Sequence, residues 1–486
     1  MISTRQRELR WLRSLTVLLL AGSSLAAVNQ LADAQVVPDS TLGAERSRLT
    51  SQGAKARIEG GAMRGSLLFH SFSEFNVNAG QQVYFANPAA ITNILTRVTG
   101  RNPSNILGTL GVEGRANLFL LNPNGIVFGR NARLDVAGSF TATTADSIWL
   151  DRYEFSATNP QAPPLLAIKL TPGLQYGRNA PERVIENQGR LAVGMGQQLS
   201  LLGGTVRQSG SLTAPAGLVE ISGDRVERLG TVDTQAANGT VGTFLLDPKD
   251  ILIRAGTPIS GATISAALST NNVVLQADND ISVDDNIASA SKNNLTFLAG
   301  RSLELMPNRT ITLNGGNLTA LINAPVNPVD RDPGIASFLM RPGTRIATNG
   351  GNDTVTSGFG ATSQINTADA SIVTASAANS GKITLSSLGD ITTGLLDSRA
   401  AIRGGDITVS SSGGTITTTQ ALLTDATAQA GNIFLTAARD INVTRRITAN
   451  ALGQAGNLTL TAGGDLNLTS NGFTADFSLM KYSGNL

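Results

Sequence analysis

The chain has 486 residues with 52 glycines, 4% aromatic residues, no cysteine and a formal net charge of +2. The missing cysteine excludes disulfides, thiolate nucleophiles and cysteine-based metal sites, and the near-neutral charge leaves no electrostatic footprint for nucleic acid. Short runs of Ser, Thr, Asn, Val, Ile and Leu between Gly, Asn and Asp are the vocabulary of many short strands joined by tight turns, not of long amphipathic helices.

Arg5, Arg7, Arg10 and Arg13 precede the apolar stretch "LTVLLLAGSSLAAV", and Ala32-Asp33-Ala34 supplies an A-x-A site before Gln35. This pattern predicts a signal peptide over residues 1–34, because the apolar stretch falls short of the roughly 20 residues a spanning helix needs. An exported chain without cysteine would also meet no disulfide obstacle when crossing a second membrane unfolded.

Residues 35–160 alternate as strands do, for example in "GSLLFHSFSEF". At residues 118–129, "LFLLNPNGIVFG", two apolar runs are cut by Asn-Pro-Asn-Gly. Pro123 presets φ, Asn122 can cap the turn, and Asn124-Gly125 tolerates a positive φ, so a sharp strand corner is expected. Residues 161–180 contain the proline-rich "QAPPLLAIKLTPG" and read as a junction that leaves the preceding stack.

From residue 181 to 486 the chain repeats. "GKITL", "GDITV", "GNIFL" and "GNLTL" begin at Gly381, Gly405, Gly431 and Gly456, in steps of 24, 26 and 25 residues. Ile391, Ile416, Ile441 and Leu466 follow at a constant step of 25. Paired short strands with a Gly-containing corner describe one coil of a right-handed parallel β-helix, an all-β solenoid, and the 25-residue series should stack inward in one column. No coil could stand alone, so stability must reside in the stack. A stretch near 327–370 breaks the rhythm and reads as an irregular insertion.

No constellation of residues suggests catalysis. His70 is the sole histidine and has no second ligand or nucleophile partner in the sequence. Asp284 and Asp285 are adjacent, so on a strand they would face opposite ways. "GGNDTV", residues 350–355, resembles part of a calcium-binding nonapeptide, but such cages need stacked copies and only one good copy is present. The Asn-x-Thr triplets, such as Asn294 to Thr296 and Asn457 to Thr459, recur within the strand repeat. The residues therefore predict no enzyme, metal or cofactor.

Three stretches carry a family resemblance: "FHSFSEFNV", "ILTRVTGRNPSNILGTL" and "NPNGIVFGRNARLDVAGSF". Together they resemble the N-terminal secretion, or haemagglutination activity, domain of filamentous haemagglutinin-type exoproteins, especially the cyanobacterial branch. "GTFLLDPKDILI" is similar to a segment common further along such proteins. The resemblance implies two-partner secretion. The chain would pass through the periplasm, be captured by the POTRA domains of an outer-membrane barrel transporter, and fold as a β-helix at the cell surface or after release. The secretion domain would form the capped first part of the β-helix. The family's secretion motif falls on Asn122, Pro123, Asn124, Gly125 and Ile126. Its earlier Asn-Pro-Asn-Leu motif falls on Asn87 and Pro88 but departs from it at Ala89 and Ala90. An adhesin-like role follows from the same resemblance, with a surface carbohydrate or cell-surface receptor as target and no nucleic acid. The alternatives are a β-helical polysaccharide-active enzyme, which would need clustered Asp, Arg, Lys or His on neighbouring coils, and the truncated remnant of a larger adhesin or toxin.

Overall fold

The computed structural model describes residues 36–150, 153–163, 172–175, 182–325, 331–358, 363–469 and 472–474. The expected signal peptide lies outside the described residues. No helix among them is long and apolar enough to cross a membrane.

The framework is a parallel β-solenoid. Its first sheet contains a ladder of fifteen parallel strands, from Leu67–Phe75 to Leu458–Ala462, each paired in register with the next coil. Up to residue 233, one further sheet closes most of each coil. From Ile251 onward two separate sheets do so, nine strands ending at Leu466–Leu468 and eight ending at Phe473–Thr474. The change falls at the helix Gly261–Ala267, whose first turn is held by Ser260 Oγ accepting from Thr263 N at 3.1 Å.

Alternation sets which side chains enter the core. In Ile407–Ser411, residues 407, 409 and 411 are buried while Thr408 and Ser410 are half-buried on the outer face. Ile391 pairs with Ile416, Ile416 with Ile441 and Ile441 with Leu466, forming the inward column expected from the 25-residue step. In the first sheet, Val219, Phe244, Val273, Leu295 and Leu318 continue through Ile383, Ile407, Ile433 and Leu458. One position in that column, Asp353, is not apolar.

The polar half of the repeat fastens one coil to the next. Asn294, Asn317 and Asn352 each donate their backbone N–H to the side-chain oxygen of Asn272, Asn294 and Asn317 respectively, at 2.9–3.0 Å. Asn432 and Asn457 continue the series onto Asp406 and Asn432. This explains the Asn-x-Thr triplets: Asn holds the neighbouring rung, and Thr is the first outward residue of the strand. The stacked glycines have a packing reason. A Cβ on Gly405, Gly431 or Gly456 would lie 1.8–2.0 Å from the carbonyl oxygen of the glycine one coil back.

The first coils depart from parallel stacking. The secretion domain was expected as the capped first part of the β-helix, and this cap is antiparallel: Ser47–Gln52 pairs antiparallel with Lys55–Gly60, and Val36–Pro38 and Ala62–Arg64 pair antiparallel with Leu67–Phe75. An alternating pattern specifies which face is buried and leaves the direction of the partner strand open. The chain next leaves the solenoid earlier than its prolines suggested. Ser147–Leu150, Tyr153–Ser156 and Pro172–Gln175 form a separate antiparallel sheet, while Phe140–Thr143 pairs directly with Gln198–Leu202 as the next rung. Residues 164–171 and 176–180 of the proline-rich junction lie outside the described residues.

The expected irregular insertion also reads differently. Ala336–Met340, Arg345–Ala347, Asp353–Ser357, Ser363–Asn366 and Ser371–Val373 are all regular rungs. The rhythm breaks because this coil is long: Leu318 pairs with Asp353, 35 residues on, and the excess sits at a corner. Residues 326–330 and 359–362 lie outside the described residues.

Candidate functional site

The Asn-Pro-Asn-Gly corner carries the chain from Asn117–Leu121 in the first sheet to Ile126–Phe128 in the second. Gly125 N donates to Asn122 O at 3.1 Å, closing a β-turn with Pro123 and Asn124 at its centre. Asn122 is fully buried. Its Nδ2 donates to Asn102 O and Ser104 Oγ, both at 3.0 Å, while its Oδ1 accepts from Asn124 N at 3.0 Å and Asn124 Nδ2 at 3.1 Å. With four bonds in place, the Asn122 amide is saturated as the internal bracket of the corner. Gly125 takes the left-handed backbone, with φ +117°, and Asn124 does not. Ile126 is buried between Ser104 and Ile185.

Asn124 differs from its neighbours in being exposed. Its Nδ2 also reaches Gly100 O at 2.9 Å. The corner thus presents one accessible amide on a base of buried groups.

Asn87 and Pro88 form a second corner elsewhere. Asn87 Nδ2 donates to Pro88 O at 3.1 Å and Ile91 O at 2.9 Å, and its Oδ1 accepts from Ala116 N at 3.1 Å. Asn87 therefore holds the start of Asn117–Leu121, whereas Asn122 follows its end. A five-residue strand of about 17 Å separates the two motifs, so they do not form one site.

A buried polar cluster beneath the first coils was not anticipated from the sequence. Arg97 is fully buried and donates to Ser71 Oγ at 3.0 Å, Thr41 Oγ1 at 2.9 Å and Ser156 O at 3.0 Å. Its guanidinium lies 4.5 Å from the centre of the Phe155 ring. Asp39 accepts from Thr41, Ser71 and Thr99. Burial opposes charge on Asp39, but the Thr99, Thr41 and Ser71 donors together outweigh it and hold the carboxyl below its usual range. The cluster ties Val36–Pro38, Leu67–Phe75, Asn93–Val98 and the extruded sheet together. A sequence signal existed: "ILTRV" has apolar residues on both faces, which marks a strand covered on both sides.

His70 sits at the edge of this region, fully buried, with Nδ1 2.9 Å from Ser47 Oγ. Burial lowers its pKa to about 3, so the ring is neutral and sealed from solvent. Asp284 accepts from Arg254 and Arg309, and Asp285 accepts from the first N–H of the helix, Gly261 N. Both carboxylates are engaged with groups of the fold. Asp353 of the "GGNDTV" stretch turns inward, away from any surface cage. Among the described residues no group of three or more acidic or imidazole side chains could hold a metal ion.

Residues 34–266 match the family model of the TPS secretion domain. The chain carries a TPS secretion domain. A curated relative, a heme/hemopexin-binding protein of Haemophilus influenzae, is 34% identical over 100 residues, covering 21% of this chain and 10% of that protein. The match thus spans a small part of the relative. Two solved structures are similar at low values. The HMW1 secretion domain from Haemophilus influenzae has 15% identity and a TM-score of 0.30, with 89% of this chain and 98% of that one covered. A filamentous hemagglutinin secretion domain has 16% identity and a TM-score of 0.25, with 82% and 99% covered. The family match includes the Asn122–Ile126 corner, the buried polar cluster and the antiparallel cap.

Proposed function

We propose that this chain is a two-partner-secretion exoprotein, led into the periplasm by residues 1–34, captured by the POTRA domains of an outer-membrane barrel transporter, and delivered to the cell surface or released. The family match over residues 34–266 carries this reading. Within that segment the two asparagines of the corner divide the work. Asn122 builds the corner from inside. Asn124, exposed and amide-bearing, is the group a transporter can meet. Asn87 and Pro88 are assigned to holding the adjoining coil. The remaining coils form a long, near-neutral surface of Thr, Ser and Asn, which suits a non-enzymatic, adhesin-like role toward a surface carbohydrate or receptor.

Asn122→Ala and Asn124→Ala separate folding from recognition. Asn124 has no left-handed strain to relieve, so Asn124→Ala should leave the melting of the purified protein within about 1 kcal/mol of wild type, while the amount released by co-expressed transporter falls. Asn122→Ala leaves the acceptors Asn102 O and Ser104 Oγ and the donors Asn124 N and Nδ2 without this partner, and should lower both. Unchanged release of both variants would remove the corner from the export step.

A further inference from the structure

Asp353 occupies an inward position of the first sheet, between Leu318 on one coil and Ile383 on the next. Its side chain is fully buried, and neither carboxyl oxygen has a hydrogen-bond partner. Every other residue of the column from Val219 to Leu458 is aliphatic or phenylalanine. An ionised carboxylate in such a position is strongly disfavoured.

Among the described residues no charge compensates for it. The flanking rungs Leu318–Ile322 and Ile383–Ser387 contain no ionisable residue, and neither do Ala336–Met340 and Ser371–Val373. Arg345 is exposed, Arg341 pairs with Glu304 on the surface, and Lys382 pairs with Asp406. None faces the carboxyl.

We propose that the coil holding Asp353 is an alkali-sensitive joint, closed while this carboxyl is protonated and opened between the first-sheet rungs Leu318–Ile322 and Ile383–Ser387 when it ionises. The device lets the last coils part from the earlier ones while each block keeps its own stack.

The direction follows from linkage. Burial raises the Asp353 pKa from 3.8 to about 7. The opened coil loses its proton at the lower value, so closure is strongest below about pH 4 and weakens as pH rises, levelling above about pH 7. The ratio of open to closed coil should grow roughly 50- to 100-fold between pH 5 and pH 8. Asp247, on the outer face, is also raised to about 7, by burial first and then by Asp278 and Glu220. A global melting curve would therefore mix the two groups, and the test must be local.

Amide hydrogen exchange of the intact chain at pH 5 and pH 8, corrected for the intrinsic pH dependence of exchange, reads opening at Ile346, Thr354 and Ile383. In wild type and Asp247→Asn these amides should show the 50- to 100-fold rise, and Leu435 and Leu460 a much smaller one. Asp353→Asn and Asp353→Ile should abolish the rise. Equal opening at both pH values in wild type would overturn the joint. So would a rise that survives both Asp353 variants, or one equal in size at Leu435 and Leu460.

Discussion

The first coils and the last coils share one ladder and are held together by different means. Between residues 36 and 202 the core holds Phe69, Phe72, Phe75, Phe85, Phe128, Phe140 and Phe155, together with the buried Arg64, Arg97 and His70. A second apolar cluster, including Leu67, Phe69, Leu95, Leu121, Ile148 and Phe155, covers the outer face of the first sheet under the extruded strands. Between residues 371 and 474, Ile, Leu, Val, Ala, Thr and Ser columns repeat with asparagine clamps and stacked glycines. Where contacts are unique, a lost residue has no substitute nearby. Where contacts repeat, each coil leans on two near-copies of itself, and damage stays close to its origin.

Arg97 should give the largest effect. Arg97→Ala leaves Asp39, Ser71 and Thr41 facing a buried void, and breaking such a buried charged network costs about 3–5 kcal/mol. Calorimetry should show the loss in the N-terminal part, with the melting of the last coils unchanged.

Ile441→Ala probes the other region. Removing a fully buried aliphatic group from the 25-residue column should cost about 2–5 kcal/mol. Hydrogen exchange should rise at Ile416 and Leu466 and be unaltered at Leu118, eleven rungs away along the first sheet. Global unfolding at a single lowered temperature would mean that the two regions form one cooperative unit.

The regions also differ in pH response. His70 is held neutral in the fold, with its pKa lowered from 6.5 to about 3 by burial. A depressed folded-state value on a histidine favours the fold above pH 6.5 and penalises it as pH falls toward 3, so the first coils should lose about 2 kcal/mol between pH 7 and pH 5. His70→Gln, which can still pair with Ser47, should flatten this dependence in chemical denaturation. The middle coil with Asp353 responds in the opposite direction.

These differences follow what the sequence could express. The repeats were legible because the 25-residue step places Ile391, Ile416, Ile441 and Leu466 in one column whatever the details of the corners. The Asn122 corner was legible because proline and glycine fix local backbone choices, although the left-handed residue is Gly125 alone. The antiparallel cap and the extruded sheet were not, since strand direction depends on distant partners. Arg97 reads as a surface residue until one notices that its strand is apolar on both faces. The stretch near 327–370 looked irregular because the coil from Leu318 to Asp353 is long, while the rungs Ala336–Met340, Arg345–Ala347 and Asp353–Ser357 remain regular.

Export is the most direct test. The full chain, expressed with and without its outer-membrane transporter, should appear outside the cell only when the transporter is present, and deleting residues 36–202 should abolish release even with the transporter supplied. Release that is independent of the transporter, or that survives this deletion, would contradict the account.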